Sequence, residues 1–209
     1  LLEFLNVPYT GPRTGTLYDI AVAALLQGEL PTTENGSPRY FVDESLKTVT
    51  TDFSEDDSSY TAAVVLQMVA NAGQCVMHQT RDGILRIERF ARTLSDYEIT
   101  QSESYTHPER VMTKPSRSVN INDSLWIEDI AATGEAISIS NPLITQVENA
   151  THVGHWASAV LRGRNLIKGS YRADPRLDVL DVVSVESKYS TGFVAAVTEI
   201  TYEYNGAFH

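Results

Sequence analysis

Read along the chain, apolar positions first recur at helical spacing between Thr16 and Gln27, where Leu17, Ile20, Ala21, Ala24 and Leu25 share one face. Thr16 is a natural N-cap with Asp19 in the first turn, and Gly28 followed by Pro31 ends the helix. Residues 31–38 (PTTENGSP) read as a loop, and Tyr40-Phe41-Val42 as a short strand. A second helix is predicted from a cap at Ser58 or Ser59 to Ala72, burying Ala62, Val65, Leu66 and Val69 and stopping at Gly73. Cys75–Gln79 and Ile84–Phe90 then flank Arg81-Asp82-Gly83, a strong hairpin signal. In its second strand Leu85 and Ile87 alternate with Arg86 and Glu88, so one face is buried and one is wet.

Alternation fades from Ala91 to Pro115. It returns at Ser118–Asn122, and Leu125–Ile130 and Glu135–Ser140 suggest a strand pair turning around Thr133-Gly134. Asn141-Pro142 opens a third helix, Thr145–Leu161, and strands follow at Leu166–Arg172, Val179–Glu186 and Phe193–Tyr204. Three strands, a helix and three strands predict an antiparallel barrel or sandwich with one packed helix. The fold class expected for the whole chain is α+β. We divide it into a remnant of an upstream domain (1–12), a small α/β subdomain (13–96), a linker (97–115) and a β-rich, tube-like subdomain (116–209). The apolar opening Leu1-Leu2-Glu3-Phe4-Leu5 suggests the remnant, because an apolar terminus needs something to pack against.

Composition narrows function mainly by exclusion. The 209 residues are 42% hydrophobic, enough for a sizeable core. No apolar run reaches the ~18–20 residues of a membrane helix. The net charge of −11 repels phosphate and argues against general nucleic-acid binding. The single cysteine, Cys75, rules out an internal disulfide framework.

Sites of chemistry are scarce. The chain has no GxSxG elbow, HExxH, strand-following GxGxxG or phosphate-binding loop. Glu148, His152 and His155 fall at i, i+4 and i+7 of the third helix, a spacing that suits zinc, but no fourth ligand or supporting shell is visible and a polar helix face is the better reading. Asp52, Glu55, Asp56 and Asp57 lack the spaced oxygens and central glycine of a calcium loop and read as a helix-capping segment. Cys75 fits a small buried strand residue better than a nucleophile. Arg162, Arg164, Lys168, Arg172 and Arg176 form a solvated basic run, with ion pairing across a subunit contact as the alternative. Asn149-Ala150-Thr151 matches a glycosylation sequon but lies mid-helix. We therefore expect no enzyme, with no catalytic, cofactor-binding or metal-ligating residue and no cofactor.

Two stretches resemble a known family. Thr61–Ile87 (TAAVVLQMVANAGQCVMHQTRDGILRI) and Leu166–Phe208, with YRADPRLDVLDVVSVESKY and VTEITYEYNGAFH, are similar to the tail-hub or baseplate-hub structural proteins of tailed bacteriophages and prophages. Leu17–Ala21 and Val42–Lys47 fit the same pattern. The resemblance implies a virion component at the tail tip, assembled in the host cytoplasm. It implies a homotrimeric ring, in contact with other tail proteins, around the path of the exiting genome, which passes without specific binding. It also implies that this chain lacks the family's N-terminal β domain. The alternative is a receptor- or carbohydrate-binding module at the tail tip, for which ten Tyr and two Trp offer stacking surfaces.

Overall fold

A computed structural model describes residues 2–30, 32, 35–56, 58–89, 97–106, 109–112, 118–128, 134–161, 165–172, 174–186 and 192–203. In chain order its elements are β1 (Thr14–Thr16), α1 (Leu17–Gln27), β2 (Tyr40–Val42), β3 (Thr50–Asp52), α2 (Ala62–Ala72), β4 (Cys75–Gln79) and β5 (Leu85–Arg89). Then follow β6 (Tyr97–Ile99), β7 (Glu109–Met112), β8 (Ser118–Ile121), β9 (Leu125–Glu128), β10 (Ala136–Ile139), α3 (Val147–Leu161), β11 (Asn165–Lys168), β12 (Val182–Val185) and β13 (Phe193–Ala196). The class is α+β. No described helix is long and apolar enough to cross a membrane.

The chain forms two compact units, each from two separate stretches: 1–89 with 114–164, and 90–113 with 165–209. In the first unit, Thr16 caps α1 as its spacing predicts, its Oγ1 accepting from the Asp19 amide at 3.1 Å. The helix α2 starts three or two residues later than the serines suggest, with Thr61 as its cap. The reason is local: the Asp56 carboxylate takes the Ser58 amide at 3.0 Å in a turn, so the chain is not yet helical there. The hairpin β4–β5 forms in the expected place, and Gly83 supplies the positive φ (73°) of its turn. β2 adds to β5 in parallel, giving the order β2-β5-β4, while β1 and β3 make a separate antiparallel ribbon. Leu5 is fully buried in this core, and the Ala62 amide donates to the Val7 carbonyl at 2.9 Å. Leu5 and the Val7 backbone thus join the first unit, while Phe4 is 49% exposed.

The second half departs from the sequence expectation in three ways. First, β9 and β10 do not pair with each other: β8 lies between them, antiparallel to β9 and parallel to β10. Asn122 and Asp123, both left-handed (φ 50° and 54°), make a tight turn that sends β9 back along β8. The Asn122 amide then bonds the Ile139 carbonyl at 2.9 Å and draws β10 to the other side. Second, the described strands after residue 116 close no barrel; they belong to three separate sheets. Val119 and Ile121 of β8 join the same apolar core as α1 and α2, together with Val153 and Ala157 of α3. Third, residues 97–115, expected as linker, carry β6 and β7.

The second unit holds two small sheets, β13-β12-β6 and β11-β7. Val183 and Val185 of β12 lie between Tyr97 and Ile99 on one side and Ala195 and Phe193 on the other, so one sheet face is apolar. Both β12 and β13 are shorter than their alternation predicts, and one bulge explains it. The Leu180 amide donates to the Val197 carbonyl at 2.8 Å, and the Val197 amide donates to the Asp181 carbonyl at 2.8 Å. Two residues therefore oppose one, with Leu180 at φ 78°, where glycine is usual. The regular ladder ends there.

Candidate functional site

The described residues singled out by sequence are scattered, and Asp52, Asp56, Cys75 and Arg176 bond within their own segments. Glu148, His152 and His155 stand exposed on α3. Among the described residues no group of three or more His, Cys, Asp or Glu is gathered for a metal. Asp52 accepts from the Ser54 amide (3.0 Å) and hydroxyl (2.6 Å), which holds its carboxyl below the ordinary value. Asp56 accepts from the Tyr60 hydroxyl at 2.6 Å and the Ser58 amide at 3.0 Å, and these donors bring its pKa down to about 2. Glu55 is exposed, and Asp57 lies outside the described residues. Asp52 and Asp56 thus spend carboxylate oxygens on their own loop.

Cys75 is buried, with its thiol 3.4 Å from the Gly73 carbonyl. Burial pushes the thiol up to about 12, and the Asp43 carboxylate adds to the rise. An activated nucleophile needs the opposite shift. Lys168, Arg172 and Arg176 are exposed in the second unit, while Arg162 and Arg164 lie outside the described residues. Arg176 forks onto Asp174, Nε to Oδ1 at 3.0 Å and Nη2 to Oδ2 at 2.7 Å, and its guanidinium sits 5.8 Å from the Tyr97 ring centre. Asn149 is buried within α3. Of the aromatics a sugar would need, Tyr9, Tyr18, Tyr40, Tyr60 and Trp156 are in or against the first core.

One constellation is assembled that sequence reasoning did not single out. On the outer face of β2-β5-β4, Glu88 bridges two partners: its Oε1 lies 2.9 Å from His78 Nε2, and its Oε2 accepts from Arg86 Nη1 at 2.9 Å. The Arg86 guanidinium lies 5.1 Å from the ring centre of Phe41, which is 42% exposed. Register explains the grouping, since Arg86 is directly opposite both His78 and Phe41. The hairpin register was available in the sequence; the parallel addition of β2 was not. The array joins an imidazole, a carboxylate, a guanidinium and an aromatic ring. It is an ordered patch of charge and aromatic surface, suited to contact.

A second exposed feature is the outer edge of β13, where Val194 is 59% exposed.

No known family matches the chain, and no curated protein does. Among solved structures it is similar to the 43 kDa tail protein of prophage MuSo2 from Shewanella oneidensis. The TM-score is 0.59, over 99% of this chain and 67% of that one. The two share a fold. With 14% identity between them, the likeness concerns backbone architecture and transfers no residue role.

Proposed function

We propose that this chain is a structural component of a phage tail: a non-enzymatic hub at the tail tip or baseplate that links the tail tube to host-recognition parts. The observation that carries the reading is the fold shared with a prophage tail protein along 99% of the chain. The motifs of Thr61–Ile87 and Leu166–Phe208 point the same way from sequence. In this reading three copies form a ring in the virion, contacting other tail proteins. Heterologous contacts between identical subunits close into such a ring. The genome passes through it, and a net charge of −11 suits a passage that DNA crosses without sticking. No metal or cofactor takes part.

The test is to locate the chain in intact particles. Antibody raised against it should decorate the distal end of tails in electron micrographs. Label on the capsid, along the whole tail or nowhere on the particle would overturn the reading.

A further inference from the structure

An asparagine or aspartate followed by glycine can modify itself, because a glycine amide nitrogen, unshielded by a Cβ, reaches the preceding side-chain carbon. The reaction needs that nitrogen open and free of a hydrogen bond. The chain holds three such dipeptides, Asn35-Gly36, Asp82-Gly83 and Asn205-Gly206, the last outside the described residues.

The two described ones differ in that respect. Both glycines are left-handed, with φ 75° at Gly36 and 73° at Gly83. The Gly83 amide donates to the Thr80 carbonyl at 2.9 Å, so attack on Asp82 must first break a hydrogen bond of the hairpin turn. The Gly36 amide donates no hydrogen bond among the described residues. Asn35 and Gly36 are both exposed, and nothing lies within 4 Å of where a Cβ on Gly36 would stand. They lie between Thr32 and Pro38, which are bridged to each other.

We infer that Asn35-Gly36 is a site of spontaneous modification, at which Asn35 converts to aspartate and isoaspartate without an enzyme. The Gly36 nitrogen bonds to Asn35 Cγ, its proton passes to Nδ2, and Nδ2 leaves as ammonia. The cyclic imide that results then takes up water. Opening at Cγ leaves aspartate with the main chain restored. Opening at the backbone carbonyl carbon of residue 35 leaves isoaspartate, whose main chain runs through the former side chain. Nothing is oxidised or reduced. Either product adds a carboxylate to the loop that Arg39 spans, its Nε donating to the Thr32 carbonyl at 3.3 Å.

Peptide mass spectrometry on the 209-residue chain, incubated at neutral and at mildly alkaline pH, tests this. Cleavage after Arg13 and Arg39 isolates a peptide in which Asn35 is the sole asparagine. That peptide should gain the mass difference between an amide and an acid, and sooner at the higher pH. Its conversion should outpace that at Asn6 or Asn71, whose next residues carry a Cβ, by about tenfold or more. Part of the product should accept a label from a protein isoaspartyl methyltransferase. Gly36→Ala should slow conversion by about tenfold or more, since a Cβ then shields the nitrogen. The measurement on the unaltered chain stands even if Gly36→Ala fails to fold. Asp82 should isomerise faster once urea unfolds the chain and frees the Gly83 amide. Conversion at Asn35 no faster than at Asn6 or Asn71 would overturn the inference. Equal isomerisation of Asp82 in the folded and unfolded chain would overturn the distinction on which the choice of Asn35-Gly36 rests.

Discussion

Asn122 and Asn141 hold each other reciprocally: Asn122 Nδ2 donates to the Asn141 carbonyl at 3.0 Å, and the Asn141 amide donates to Asn122 Oδ1 at 2.7 Å. Asn122 occupies the left-handed region that asparagine tolerates. Asn141, 2% exposed, spends the rest of its side chain on α2 and the chain ahead. Its Nδ2 donates to the Met68 carbonyl at 2.8 Å and to Asn71 Oδ1 at 2.9 Å, while its Oδ1 accepts from the Leu143 amide at 3.0 Å. One buried asparagine thus ties the β8–β9 turn through its backbone, and a helix some seventy residues earlier through its side chain.

Asn141→Ala should therefore cost about 2–3 kcal/mol, since it strands buried partners rather than removing a solvated bond. The expected readout is a lower urea midpoint with an unchanged slope. A loss within experimental error would mean that water replaces the side chain without penalty.

Gly73 ends α2 against Leu46. A Cβ at Gly73 would lie 2.1 Å from Leu46 Cδ2 and 3.1 Å from the Val69 carbonyl oxygen. Gly73→Ala should overpack the site and cost about 1–3 kcal/mol. Leu46→Ala, at a fully buried position, should cost about 2–5 kcal/mol through its cavity. Combined, the two should cost less than their sum by about 1 kcal/mol, because the new methyl enters the space that Leu46 vacates. Calorimetric melts of the four proteins measure this, and strict additivity would contradict it.

Asp56 gives a pH signature. Its folded pKa, about 2, lies below the ordinary value of about 3.9. A depressed carboxyl contributes stability that is present above the unfolded value and is lost as pH falls through the folded one. The loss should therefore fall between about pH 4 and pH 2. Tyr60→Phe removes the largest donor to Asp56 and should move its titration upward, as followed by carboxyl-carbon NMR. An unmoved titration would show that Ser58 alone holds the shift.

What the sequence made legible was local. Thr16, Gly28 and the Asp82-Gly83 turn act within a few residues of themselves, and α1 and the β4–β5 hairpin stand where pattern puts them. What it hid was pairing at a distance. β6 is three residues long, and its Ile99 carbonyl receives the amide of Glu186. No alternation can develop over so few positions. Asn122 and Asn141 read as a strand end and a helix opening because nothing near either residue announces the other. The surface array around Glu88 was half legible: Arg86 and Glu88 read correctly as the wet side of a strand, but Phe41 reaches them only through a parallel pairing.

The discontinuous first unit yields the last prediction. A subdomain cut at 13–96 leaves out Leu143, Ile144 and Val153, which share one core with Leu17, Leu46 and Val65. It also leaves out the Leu143 carbonyl that accepts from buried Thr51 Oγ1 at 2.7 Å. Each large apolar side chain removed forfeits about 1.5–3 kcal/mol of burial. Three of them, with the stranded polar groups, approach the about 5–15 kcal/mol that holds a whole domain together. A 1–96 fragment should accordingly show no cooperative melt and poorly dispersed amide spectra. A chain ending at 164, with 90–113 replaced by a Gly-Ser linker of equal length, retains both stretches of the unit and should melt cooperatively. If the 1–96 fragment folds as well as the linked one, the stretch 114–164 is an addition to that core rather than part of it.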